Sequence, residues 1–86
     1  MTCRIDRVRI ERGVVLRVSG RITGDDLQIL RTALKESCVA AIDLAQIELV
    51  DRDAVMVLAA NESSGIELTH CPAFIREWIA KERGRS

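Results

Sequence analysis

The stretch Val39-Ala40-Ala41-Ile42-Asp43-Leu44 decides how the rest of this chain is read. It is nearly continuous in apolar character, too short for a buried helix, and is followed within a few residues by Ile47, Leu49 and Val50. Such a run predicts a central strand covered on both faces, because a strand with one wet face alternates apolar and polar residues instead. On its C-terminal side Asp51 is a good helix N-cap, and Ala54 to Ala60 form an apolar run that leads into Asn61 and Glu62, so a short, largely buried helix is expected there. Ser63-Ser64-Gly65 breaks that helix, Ile66-Glu67-Leu68 alternates as a further strand, and Pro72 occupies the expected first helical position before Ile75, Trp78 and Ile79. This last helix is expected to end near Arg83-Gly84, leaving residues 84–86 as a frayed tail.

On the N-terminal side of the central strand, Leu27, Leu30 and Leu34 recur at helical spacing after Thr23, Asp25 and Asp26, which resemble a capping box with Asp in place of Glu. A helix over about residues 24–36 follows. Before it, Ile5 to Ile10 and the β-branched run Val14 to Val18 flank Arg12-Gly13, as in a β-hairpin. The order is therefore ββαβαβα: a single α/β domain with a mixed four-stranded sheet and about three helices. A chain of 86 residues has room for one core only.

Composition narrows the function. With 48% hydrophobic and 30% charged residues the chain is globular, and with one Phe, one Trp and no Tyr its core must be built from aliphatic side chains. The net charge is zero, yet residues 1–21 carry six arginines against Asp6 and Glu11, whereas residues 22–70 carry nine acids against Arg31, Lys35 and Arg52. The arginines alternate with strand residues and have no aromatic neighbour to stack on a base, so they read as a solvated strand face and not as a nucleic-acid surface. No run of apolar residues is long enough to cross a membrane, and Arg4 and Asp6 interrupt any leader-like segment. Cys3, Cys38 and Cys71 are odd in number and lack the spacing of a zinc site, which points to reduced thiols in a cytoplasmic protein, read as small buried hydrophobes and not as a metal centre.

Candidate chemistry is sparse. Asp51 and Asp53 could pair on a metal or act as acid and base, but Arg52 separates them and their loop supplies no further ligand; capping and a first-turn acid account for them. His70 and Cys71 are adjacent, and on a strand adjacent side chains point to opposite faces. Ser63 and Ser64 are explained by the turn they occupy. Trp78 shares a helix face with Ile75 and Ile79, which suits packing in the core or in a homodimer. The expectation is a protein without catalysis, metal or cofactor.

The ordered string Val15-Leu16-Arg17-Val18-Ser19-Gly20-Arg21-Ile22, a helix, then Ala41-Ile42-Asp43-Leu44 and Leu49-Val50-Asp51, resembles the STAS domain of sulfate transporters and anti-sigma factor antagonists, over nearly the whole chain. The resemblance implies a protein-binding regulator of transcription whose partner is an anti-sigma factor of kinase-type fold. In bacterial antagonists that look like this, an Asp-Ser-Ser-Gly motif follows the central strand and its first serine is phosphorylated. Here the register gives Asp51-Arg52-Asp53-Ala54, with Arg52 at the phosphoacceptor position, Asp53 at the second serine and Ala54 at the glycine. A fixed loop in place of a phosphoserine switch is the expectation, with Asp25, Asp51, Arg52, Asp53 and Ala54 as the partner-binding residues. Two alternatives stand beside it: a small cytosolic subunit of a transporter complex, and, from another class, a ligand sensor or enzyme using the loop acids.

Overall fold

The central strand is longer than its apolar run. In the computed structural model, which describes residues 3–36 and 38–84, β3 spans Val39–Val50, with β1 Cys3–Ile10, β2 Gly13–Ile22 and β4 Glu67–Thr69 completing the sheet in the order β1-β2-β3-β4. The hairpin partners β1 and β2 are antiparallel, whereas β2, β3 and β4 run parallel. Helix α1, Leu27–Glu36, follows a 3-10 turn at Gly24–Asp26; α2 is Arg52–Ser63 and α3 is Ala73–Arg83. The α/β class, the four-stranded mixed sheet and the order ββαβαβα are as the sequence predicts. Of the expected tail, residues 85–86 lie outside the described residues, and Gly84 is the C-cap of α3. Pro72 is the N-cap of that helix, one position earlier than expected.

The prediction of a strand covered on both faces is corrected. The crossovers β2-α1-β3 and β3-α2-β4 step the same way across the sheet, and crossovers of one hand then place both helices on one face. A single buried cluster accordingly joins Leu16, Val18, Ile42, Leu44 and Leu68 of the strands to Leu27 and Leu30 of α1, Val55 and Leu58 of α2, and Ile75 and Ile79 of α3. The other face is uncovered, and its charged residues are aligned by register: Asp6 opposite Arg17, Arg17 opposite Asp43, and Asp43 opposite Thr69. Arg17 lies 3.8 Å from Asp43, and Arg4 lies 3.3 Å from Asp6. Ala41 is buried there without belonging to the core cluster, because its short side chain sits between Val15 and Glu67 in the same row. With Arg7 on Glu36 and Arg12 on Glu67, four arginines of the first hairpin are in ion pairs.

The hairpin turn needs its glycine. Gly13 has φ +139°, a region L side chains rarely adopt, and a Cβ there would run into the carbonyl of Cys38. That carbonyl accepts the N–H of Val14 at 2.9 Å, so the turn closes directly onto the start of β3. Cys38 itself is exposed, unlike Cys3, which corrects the expectation of three buried thiols.

Helix α2 is amphipathic and not largely buried: Ala54, Val55 and Leu58 face the core, while Met56 is 46% exposed. Its end is clasped to α3 by Glu62, which accepts from Arg76 at 2.7 Å and from Arg83 at 2.9 Å. The hydrogen bond from Arg76 holds the Glu62 carboxyl below its ordinary value of 4.5, against the partial burial that pushes it up, and the charges of Arg76 and Arg83 reinforce the effect. A carboxyl whose folded-state value is depressed stabilises the fold above its unfolded value and loses that contribution as pH falls through the folded one. The arginines are half-exposed, so Glu62→Gln is expected to cost about 1 kcal/mol, or about 4–8 °C in Tm at neutral pH. Thermal melts from neutral pH down into the acid range check this. The gap between the two proteins should close once the wild-type carboxyl is protonated; a gap that stays constant would mean that Glu62 acts through packing alone.

Candidate functional site

Strands β2 and β3 end side by side, with Ile22 paired to Val50, and the N–H of Asp51 donates to the carbonyl of Ile22 at 3.2 Å. Two loops therefore leave the sheet together at the C-terminal ends of parallel strands. Asp51 is extended, with φ −101°, which frees its side chain to cap α2. Oδ1 accepts the N–H of Ala54 at 2.9 Å, while Oδ2 accepts the N–H of Gly24 at 2.7 Å. One carboxylate thus satisfies a first-turn donor of α2 and the first donor of the turn that opens α1, and fastens the two loops to each other.

The neighbouring loop is self-capped. Thr23 donates its N–H and its hydroxyl to Asp26 Oδ2, each at 3.3 Å, and accepts the N–H of Asp26 at its carbonyl at 2.9 Å. Asp26 therefore fills the acidic position of the capping box that the sequence suggested. Between these elements Gly24 is squeezed: a Cβ would stand 3.3 Å from Asp53 Oδ2 and 3.7 Å from Asp51 Oδ2. A side chain at this position would fit only if the Asp53 carboxylate gave way by a few tenths of an ångström.

Of the predicted partner-binding residues, the structure brings Asp51 and Asp53 against Gly24, next to the exposed Asp25. Arg52 is exposed as well, but its guanidinium reaches 3.5 Å to Glu82 on α3, whose side chain is only 9% exposed. This contact makes Arg52 a strut from the loop to the last helix. Ala54 is corrected: it is 1% exposed, and its side chain belongs to the core, so only its N–H contributes to the loop. Its burial follows from the helix period, which turns the third residue of α2 toward Val55 and Leu58.

The sequence reading missed an open groove of about 590 Å³ between α1 and α2, lined by Gly24, Leu27, Arg31, Asp53, Met56 and Ala60. The signal was present in the spacing of Asp53, Met56 and Ala60, which places them on one helix face with an acid at its head. It was hidden by the apolar character of the run from Ala54 to Ala60.

The side chains of this arrangement are engaged in structural contacts. Asp51 has both oxygens engaged by backbone N–H groups, which leaves it poorly placed to ligate a metal or move a proton. His70 lies outside the loop, just past β4 and not on it, in a left-handed conformation with φ 52° and with Nδ1 3.3 Å from Asp43. Cys71 turns its thiol to the carbonyl of Pro72 at 3.7 Å, so the pair is separated by backbone geometry and not by strand alternation. Burial pushes both the Cys3 and the Cys71 thiols up, away from the reactive thiolate form. Ser63 and Ser64 close α2, with the Ser64 hydroxyl donating to the carbonyl of Ala60 at 3.1 Å. Among the described residues no helix is long and apolar enough to cross a membrane. No family model matches the chain, and no curated protein matches it.

Proposed function

We propose that this chain is a protein-binding regulatory domain resembling an anti-sigma factor antagonist of the STAS type, docking through the exposed surface of Asp25, Arg52 and Asp53 that Asp51 holds together. The observation that carries this reading is the double acceptance by Asp51, which joins the loops after β2 and β3 into one preorganised surface at the head of α2. A surface already ordered before contact loses less conformational entropy when a partner seats on it. In the family it resembles, this is the place where a hydroxyl would take a phosphate; here Arg52 and Asp53 offer none, and Arg52 is drawn to Glu82. The charge at the helix head is therefore permanent, compatible with the helix dipole, and outside the control of a kinase.

The partner class, an anti-sigma factor of kinase-type fold, comes from the resemblance. An affinity pull-down from native lysate, comparing wild type with Asp53→Arg, tests both parts. Retention of a kinase-like anti-sigma factor by the wild type and at least tenfold less by the variant is the expected result, since reversing an interface charge costs more than 1.4 kcal/mol when the opposite charge faces it. Retention of transporter components, or equal retention of the anti-sigma factor by both proteins, would remove this assignment.

A further inference from the structure

Phe74 and Trp78 are the only Phe, Tyr or Trp residues in the chain, and neither belongs to the buried core. Phe74 is 45% exposed, and Trp78 packs against the core only at its edge. Standing four residues apart on α3, they lie one turn above the other, while Ile75 and Ile79 turn inward and Arg76 and Arg83 reach Glu62 on α2. Glu77 and Lys81 complete the outer stripe, and the four side chains line a shallow depression of about 280 Å³. Among the described residues the ion pairs of α3 are made by Arg76, Glu82 and Arg83, and not by Glu77 or Lys81.

A domain whose buried core has no aromatic residue, and which leaves Phe74 exposed and Trp78 at the core edge, has put its best interface anchors where a partner can reach them. The charges say which partner. Glu77 and Lys81 balance each other, so the stripe has no net attraction for an acidic or basic surface, including an anionic membrane. It is, however, complementary to itself. When two copies of α3 cross antiparallel about a two-fold axis between Glu77 and Trp78, each Glu77 comes within reach of the partner's Lys81. The stem and ammonium of each Lys81 then lie over the partner's Phe74, and the two Trp78 rings meet at the centre. The two Glu77 carboxylates also approach each other at that axis, each flanked by the partner's Lys81, whereas a parallel arrangement would set Glu77 on Glu77 and Lys81 on Lys81.

We infer that the outer stripe of α3 forms a two-fold homodimer contact with a second copy of this chain. The inference does not depend on the reading of the loop, because none of its four residues lines that site. One helix face is small for a stable dimer, so the association is weak.

Sedimentation velocity of the whole chain, from dilute solution up to its solubility limit, tests it. The wild type should pass from monomer to dimer, and the emission of its single tryptophan should move to shorter wavelength in parallel. Phe74→Asp should weaken association at least tenfold, and so should Lys81→Glu, which sets Glu77 against a second acid. Exchanging the charges with Glu77→Lys in the Lys81→Glu background should restore the dimer. All of these positions are exposed or at the core edge, and circular dichroism melts confirm that each variant is folded. A wild type that stays monomeric at the highest concentration overturns the inference. So does a dimer indifferent to Phe74→Asp, or a charge exchange that fails to rescue the single variant.

Discussion

Replacing Asp51 by alanine is expected to lower stability by about 2–4 kcal/mol, a large share of the roughly 4–13 kcal/mol available to a domain of this size. The side chain performs two tasks that are usually divided between residues. Its Oδ1 caps α2 through Ala54, a contact whose loss costs about 1–2 kcal/mol. Its Oδ2 holds Gly24 at 2.7 Å, a charge-assisted bond between segments far apart in sequence, worth about 1–2 kcal/mol at this exposed position. Asp51→Asn separates the two: the amide oxygen can still cap α2, but its NH₂ would face the N–H of Gly24, donor against donor. Urea denaturation should therefore rank the proteins wild type, Asp51→Asn, Asp51→Ala in falling stability. Equal stability of Asn and Asp at this position would mean that the bond to Gly24 contributes nothing, and the preorganised surface would lose its basis.

Ile42→Ala is the second large effect, expected at about 2–5 kcal/mol. Ile42 is 0% exposed in the first half of β3, paired with Leu16 on one side and Leu68 on the other, beneath the helices. The core holds no aromatic residue that could swing into the space, and the surrounding side chains are Leu, Val and Ile held by strand register, so the cavity left behind collapses only in part. The midpoint of urea unfolding should fall while the slope m stays unchanged. A loss below about 1 kcal/mol would show that the sheet rearranges around the gap, contrary to the packing described.

Within the candidate site, legibility followed the range of each interaction. The N-cap role of Asp51 and the capping box of Thr23 and Asp26 were readable because both are local, spanning three residues. The strut from Arg52 to Glu82 bridges 30 residues and the bond from Gly24 to Asp51 bridges 27, and no local pattern encodes either. Ala54 was misassigned to the surface because motif register places residues along a loop, whereas exposure is set by the helix period that begins there.

The sequence by itself determined the α/β class, the ββαβαβα order and the approximate places of the hairpin turn and the helices, since caps, turn glycines and apolar spacing act between near neighbours whose geometry the backbone dictates. Only the tertiary structure decided that the sheet is covered on one face. The run Val39 to Leu44 is apolar on both sides because Ala41 is shielded by neighbouring strands and not by a helix, and Asp43 marks the wet face through partners on β2 and just past β4. Tertiary structure alone likewise set two loops under one carboxylate and left Phe74 exposed with Trp78 at the core edge. Each depends on where separate elements come to lie, and crossover handedness and close packing fix that only when the whole chain has folded.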